Sequence, residues 1–145
     1  MDNSARVVLL VEDGEDDVFL LKHSFKEAKI ANPVRVAKDC AEAMRYLGGE
    51  GEFADRSKHP LPVLVLLDLK LPDRSGLELL QWVRRVNIKS VPIIVFTSSS
   101  NINDVKAAYE AGAASYVVKP LTVEERQRFA TLVKDYWIGY NVFPG

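Results

Sequence analysis

Short apolar runs alternate with amphipathic stretches along most of the chain. Runs of four or five residues are too short for a buried helix and are typical of strands covered on both faces. Stretches with helical spacing follow them, and this alternation predicts repeated strand–helix units around a parallel sheet. The predicted strands are Val7–Val11, a weaker Val34–Ala37, Val63–Leu67, Ile93–Phe96 and Ser115–Val118.

Capping residues mark the helices between these strands. Asp39 with Glu42, and Thr122 with Glu125, have the spacing of an N-terminal capping box. Gly112 is placed to end the fourth helix, since glycine adopts the left-handed conformation that stops many helices. The pattern therefore predicts an α/β domain with helices on both faces of the sheet.

Two segments stand apart from the alternation. Gly48–Pro62 contains three glycines and two prolines and is predicted to be the longest loop. Residues 136–145 form an aromatic C-terminal extension of a single domain spanning 1–145. Its rings could cover the core of the domain or form a homodimer seam. They are Tyr136, Trp137, Tyr140 and Phe143.

Composition limits the classes of partner. The chain has 145 residues with 48% apolar and 27% charged residues, as in one globular domain. The net charge of −1 creates no field that would attract nucleic acid or anionic lipid. No apolar stretch approaches the roughly 20 residues that cross a bilayer, and no signal peptide is evident. We therefore expect a cytoplasmic protein with no nucleic-acid or membrane partner.

The cysteine and the two histidines are not candidates for a nucleophile, a metal ligand or a base. Cys40 falls in a helical pattern with Met44 and Leu47, which predicts a small core residue and not a nucleophile. His23 and His59 lack the neighbours of a metal ligand or base, so both are predicted to be solvated surface residues.

Polar side chains follow four of the predicted strands. Glu12 and Asp13 follow the first strand, Asp68 the third, Thr97 the fourth and Lys119 the fifth. Ligands bind at the carboxyl edge of open parallel sheets. Three acids, a hydroxyl and an ammonium are therefore expected to converge there, and this set suits a divalent cation and a phosphoryl group.

Residues 12–17 carry five carboxylates in six positions. Such a cluster repels itself unless a cation or solvent screens it. Glu15, Asp16 and Asp17 are explained by a solvated helix start, because the helix dipole favours acids there. Glu12 and Asp13 directly follow a buried strand, so we expect them to be partly desolvated. Hard oxygen ligands of this kind indicate magnesium.

Asp68 is the candidate nucleophile. A carboxylate can attack phosphorus to form an acyl phosphate when a metal neutralises the charge that repels the phosphoryl group. Thr97 and Lys119 would supply a hydroxyl and a positive charge for the remaining phosphoryl oxygens. Pro120 fixes the backbone after Lys119, and the sequence leaves the isomer of that peptide bond open.

Four motifs in combination resemble the receiver domain of two-component response regulators, a resemblance that runs from Val7 to about Tyr136. It implies the flavodoxin-like fold, a doubly wound five-stranded parallel sheet of order 2-1-3-4-5. The motifs are Glu12-Asp13, Asp68-Leu-Lys-Leu-Pro72 with Gly76, Thr97, and Tyr116-Val-Val-Lys119-Pro120.

The resemblance implies a phosphoacceptor and a metal site. Asp68 would receive the phosphoryl group from a phosphohistidine of a sensor histidine kinase. Magnesium would be held by Asp13, Asp68 and the backbone carbonyl of Lys70, with Glu12 ligating through water.

The resemblance also implies a switch. Thr97 would bind a phosphoryl oxygen, Lys119 would pair with the phosphoryl group, and the Tyr116 ring would follow inward. This movement would reshape the face made by the fourth helix, fifth strand and fifth helix. The protein would thus be a signalling phosphoacceptor and not a metabolic enzyme, although it assists its own phosphorylation and hydrolysis.

The long loop and the aromatic extension are similar to those of stand-alone regulators that partner bacterial phytochrome histidine kinases. That subfamily implies a phytochrome-type kinase as partner. It also implies a homodimer through the fourth helix, fifth strand, fifth helix and C-terminal tail.

Three other functions fit the sequence less well. A dehalogenase-type phosphohydrolase needs a general acid two residues after its nucleophile, where this chain has Lys70. A flavin mononucleotide carrier would bind phosphate in the first strand–helix loop, which here carries five carboxylates. A receiver that works without phosphorylation is disfavoured because the expected site residues are all present.

Overall fold

The computed structural model describes residues 6–88 and 90–142. Within them, five parallel strands form one sheet in the order β2-β1-β3-β4-β5, which confirms the predicted flavodoxin-like fold. The register places Val11 beside both Ala37 and Leu67, so the carboxyl ends of the three neighbouring strands are level. The strands are β1 Val8–Val11, β2 Val34–Ala37, β3 Leu64–Leu67, β4 Ile93–Thr97 and β5 Ser115–Val118.

Two of the helices begin at the predicted caps. The Asp39 carboxylate accepts from the Glu42 amide at 2.7 Å, and the Thr122 hydroxyl accepts from the Glu125 amide at 3.1 Å. Gly112 has a φ of 107°, which only glycine adopts without strain, just after the fourth helix. The helices are α1 Glu15–Glu27, α2 Cys40–Gly48, α3 Gly76–Arg85, α4 Ile102–Glu110 and α5 Val123–Leu132, the last continued by a π-helical segment Val133–Ile138.

Two apolar layers flank the sheet because strand side chains alternate between its faces. Leu9 and Val11 pack with α2, α3 and α4, whereas Val8 and Leu10 pack with α1 and α5. Cys40 is fully buried in the first layer, and burial raises the pKa of its thiol to about 11. The thiol is therefore protonated and inert at neutral pH, as predicted.

The loop from Gly48 to Pro62 is packed around His59, which corrects the prediction of a solvated histidine. The imidazole makes edge contacts with Tyr46 and Phe53, with centroids 6.1 and 5.2 Å away. Nη1 of Arg35 lies 3.1 Å from His59 Nδ1. These ring contacts pack the loop against α2, although the composition of the loop indicated only turns.

The tail divides its aromatic residues between core and surface. Val133 is buried and Trp137 packs on the layer between the sheet and α1, whereas Tyr136 and Tyr140 are 47% and 81% exposed. Trp137 lies four residues after Val133, so the two side chains share the inward face of the helix. Phe143 lies outside the described residues.

No helix within residues 6–88 and 90–142 combines the length and the apolar character needed to cross a bilayer.

Candidate phosphoacceptor site

The sheet brings four of the predicted site residues together at its carboxyl edge. Glu12 follows β1, Asp68 follows β3, Thr97 ends β4 and Lys119 follows β5. Glu12, Asp68 and Thr97 are 3%, 7% and 1% exposed, so this is a largely desolvated polar cluster. Lys119 comes from the far edge strand and reaches the cluster through its long side chain.

Asp68 is held by three donors. Its Oδ1 accepts from the Thr97 hydroxyl at 2.8 Å and from the Lys70 amide at 3.1 Å, and its Oδ2 accepts from Lys119 Nζ at 2.9 Å. Burial raises the pKa of Asp68, but the hydrogen bonds from Lys119, the Lys70 amide and Thr97 together hold it below its usual value. The carboxylate is therefore ionised, with donors on both of its oxygens.

Lys119 has three carboxylate partners. Nζ donates to Glu12 Oε1 at 2.6 Å, to Asp17 Oδ2 at 2.9 Å and to Asp68 Oδ2 at 2.9 Å. Burial lowers the pKa of Lys119, but these three partners raise it above its usual value, so the ammonium stays charged. Because an ammonium carries three donors, no N–H of Lys119 is left over.

Asp17 is the site residue that the sequence interpretation missed. The run of acids predicts a solvated start of α1 there, but Asp17 forms an ion pair with Lys119. The available signal was its position in the first turn of α1, which directly follows the loop that carries Glu12 at the sheet edge. Asp16, one residue earlier, is exposed as predicted.

Glu12 and Asp13 have different environments. Burial raises the pKa of Glu12, opposed by hydrogen bonds from Lys119 and from the Gly14 amide at 3.0 Å. Asp13 is exposed, which corrects the expectation that both acids are partly desolvated. Consecutive residues leaving a strand point in opposite directions, so only one of the pair can face the buried cluster.

The donor set has the chemistry that magnesium prefers, since Glu12, Asp13 and Asp68 are carboxylates at one sheet edge. Among the described residues, however, no three His, Cys, Asp or Glu side chains are arranged to surround one ion. The Lys119 ammonium lies between Glu12 and Asp68 instead. Metal binding would therefore require the exposed Asp13 side chain to turn towards Asp68.

Gly76 allows the loop after Asp68 to fold tightly against the site. The Gly76 amide donates to the Leu69 carbonyl at 2.9 Å, and a Cβ at this position would lie only 2.4 Å from the Asp68 carbonyl oxygen. Any side chain would push the loop away. Gly76 therefore fixes the path of the chain that carries Lys70.

The same loop is tied to α2 by Asp73. Its two carboxylate oxygens accept from the Cys40 and Ala41 amides, each at 3.0 Å. Burial raises the pKa of Asp73, but these amide hydrogen bonds outweigh it and the pKa lies below its usual value. A carboxylate at a helix N-terminus is stabilised by the free amides there.

Tyr116 lies beside the loop after β4. Its hydroxyl donates to the Ser99 carbonyl at 2.9 Å, and the ring packs on the core layer of α2, α3 and α4. Burial raises the pKa of Tyr116. The Tyr116 ring thus packs against the core in the same structure in which Thr97 contacts Asp68. The Lys119–Pro120 peptide bond is trans.

Comparison with known proteins agrees with this geometry. Residues 8–130 match the family described as "Response regulator receiver domain". The chain belongs to this family, and so to the phosphoacceptor modules of two-component signalling.

Similar proteins extend over nearly the full chain. "Response regulator Rcp1" of Synechocystis sp. is 31% identical over 143 residues, which is 98% of this chain and 95% of that protein. "Probable methanogenesis regulatory protein FilR2" of Methanothrix harundinacea is 32% identical over 140 residues, covering 96% and 88%. The phosphorylated cyanobacterial phytochrome response regulator RcpA has a similar structure, with a TM-score of 0.87, 27% identity, and 97% and 99% of the two chains covered.

A Mn²⁺-bound form of Rcp1 is also similar in structure, with a TM-score of 0.83, 30% identity, and 97% and 99% of the two chains covered. A divalent cation is thus compatible with this fold in a relative of comparable length.

Proposed function

We propose that the protein accepts a phosphoryl group on Asp68 from a phosphohistidine of a sensor histidine kinase. The observation that carries this proposal is the convergence of Thr97 and Lys119 on an ionised Asp68. A hydroxyl and an ammonium on one carboxylate provide the hydrogen bonds and the charge that the phosphoryl oxygens need.

In the transfer, an oxygen of Asp68 forms the new O–P bond while the N–P bond of the phosphohistidine breaks, and the imidazole keeps that electron pair. Thr97 and Lys119 then donate to phosphoryl oxygens instead of to the free carboxylate. The low pKa of Asp68 keeps the nucleophile ionised at neutral pH. The protein signals through this modification and is not a metabolic enzyme.

Magnesium is the cofactor we propose. Asp13 and Asp68 would hold it with the backbone carbonyl of Lys70, and Glu12 would ligate through water. The cation would neutralise the charge that otherwise repels phosphoryl group and carboxylate. Gly76 and Asp73 support this site because they fix the loop that carries Lys70.

Thr97 and Tyr116 are the switch we propose. The Thr97 hydroxyl would follow the phosphoryl group, and the Tyr116 ring would be stabilised on the inward side by its bond to Ser99. Phosphorylation would then change the relative populations of two arrangements of α4, β5 and α5.

The surface of β5 and α5 suits a homodimer. β5 is an edge strand, and Val118 and Leu132 line one open groove beside it. Leu121, Leu132 and Tyr136 are 88%, 60% and 47% exposed. An apolar patch of this kind on a soluble domain is typical of a protein contact. We propose that this face, with the tail, pairs two copies.

A phytochrome-type kinase is the partner we propose, because Rcp1 and RcpA share the length and fold of this chain. The experiment is transfer of labelled phosphate from autophosphorylated kinases, one of phytochrome type and one of another class. The label should move to the wild type, fastest from the phytochrome kinase, and not to Asp68→Asn. Transfer to both variants at equal rates would refute the acceptor, and preference for the other kinase would refute the partner.

A further inference from the structure

Every N–H of the Lys119 ammonium is used by a carboxylate, from Glu12, Asp17 and Asp68. A lysine ammonium has three donors and no more. A phosphoryl oxygen on Asp68 can therefore bond to Lys119 only when one of the present bonds is given up. Burial determines which of the three carboxylates gives up its hydrogen bond from Lys119.

The three partners differ in how much water reaches them. The side chains of Glu12 and Asp68 are 4% and 9% exposed, whereas that of Asp17 is 44% exposed. The bond to Asp68 passes to a phosphoryl oxygen, so a second phosphoryl oxygen can reach Lys119 Nζ only when Glu12 or Asp17 yields. Glu12 is buried and would keep only the Gly14 amide and, with magnesium bound, a metal-bound water. Asp17 is half-exposed, so water can solvate its released carboxylate at a lower cost.

Water can enter beside the Asp17 carboxylate. A cavity of about 30 Å³ between α1 and α5 is lined by Asp17, Lys119, Arg126 and Phe129 among others. This volume is about that of one water molecule. Arg126 adds a second basic residue to the lining, so the surroundings of a released Asp17 carboxylate are polar and positively charged.

We propose that Asp17 is a positioning residue that holds the Lys119 ammonium before phosphorylation and is exchanged for the phosphoryl group. This inference rests on the proposed function. Asp17 competes with the phosphoryl group for one N–H of Lys119, so it lowers the affinity of the site for that group. Removing the charge of Asp17 without changing its shape should raise this affinity.

The test measures the affinity of beryllofluoride, a mimic of the phosphoryl group, at a fixed magnesium concentration. Calorimetry and fluorine NMR would be applied to the wild type, Asp17→Asn, Asp17→Glu and Asp16→Asn. Asp16→Asn is the matched control, because it removes the same charge one residue away from an exposed side chain. Thermal unfolding without beryllofluoride verifies that each variant is folded.

Asp17→Asn should bind beryllofluoride roughly two- to fivefold more tightly than Asp16→Asn, the range expected for one ion pair with a solvent-accessible partner. Asp17→Glu, which keeps a carboxylate, should stay close to the wild type. Equal affinities of Asp17→Asn and Asp16→Asn, or tight binding by Asp17→Glu, would overturn the role of Asp17. A wild type that binds no beryllofluoride would instead refute the proposed function itself.

Discussion

At the scale of single residues, the site is a set of three carboxylates that share one lysine. Lys119 satisfies one carboxylate at the bottom of the site, Glu12, one on its rim, Asp17, and the candidate nucleophile, Asp68. The nucleophile is therefore ionised but restrained. Binding of a phosphoryl group and a cation would exchange these hydrogen bonds for new ones within a site that is already formed.

Asp73 gives a pH-dependent prediction at this scale. Its folded pKa lies below the usual 3.8, so its contribution to stability is fully present above that value and is lost as the pH falls through the lower folded pKa. Asp73→Asn keeps an acceptor oxygen but removes the charge at the start of α2, so it should reduce the free energy of unfolding by about 0.5 kcal/mol at pH 7. Urea unfolding should show the difference shrinking below pH 4 or so.

The exposed acid Asp135 offers a control for that experiment, since Asp135→Asn removes the same charge outside any cap. A deficit for Asp73→Asn that stays constant down to the lowest pH, or that equals the deficit of Asp135→Asn, would contradict the capping role.

At the scale of elements, two helical glycines are predicted to respond in opposite directions to alanine. Gly76→Ala places a Cβ 2.4 Å from the Asp68 carbonyl oxygen and should destabilise the fold by about 1–3 kcal/mol. Gly48→Ala, at the end of α2, meets only the flexible Glu50 side chain at 3.3 Å and should stabilise by about 0.5–1 kcal/mol. Chemical denaturation measures both. A Gly76→Ala variant that is not destabilised would show that the loop after Asp68 is not tightly packed, and a destabilised Gly48→Ala variant would contradict the gain expected at the end of α2.

Most of the secondary structure and of the site could be predicted from the sequence. The strands, the two capping boxes and the convergence of Glu12, Asp68, Thr97 and Lys119 follow from patterns within a few residues and from the geometry of parallel sheets. Asp17 and His59 were missed because their partners come from other elements: Lys119 follows β5, and His59 contacts Tyr46 of α2 and Arg35 of β2. The burial of Trp137 in place of Tyr136 was hidden because aromatic residues occupy both candidate faces.

At the scale of the whole molecule, the exposed face of β5 and α5 predicts regulated dimerisation. Leu132→Arg should keep the protein at its monomer mass of 16.2 kDa in light scattering when beryllofluoride and magnesium are present. The wild type should reach twice that mass, because Leu132 is 60% exposed in an apolar groove. Val86→Arg changes an apolar residue 45% exposed at the end of α3 and serves as control. Dimers of Leu132→Arg would place the interface elsewhere.

The claim on which the rest depends is that Asp68, held by Thr97 and Lys119, is the acceptor of the phosphoryl group. Intact-mass spectrometry after incubation with acetyl phosphate tests it most directly, on the wild type and on Asp68→Asn, each with magnesium and with a chelator. We expect the mass of one phosphoryl group on the wild type with magnesium, and none in the other three samples. Equal phosphorylation of wild type and Asp68→Asn would contradict the assignment.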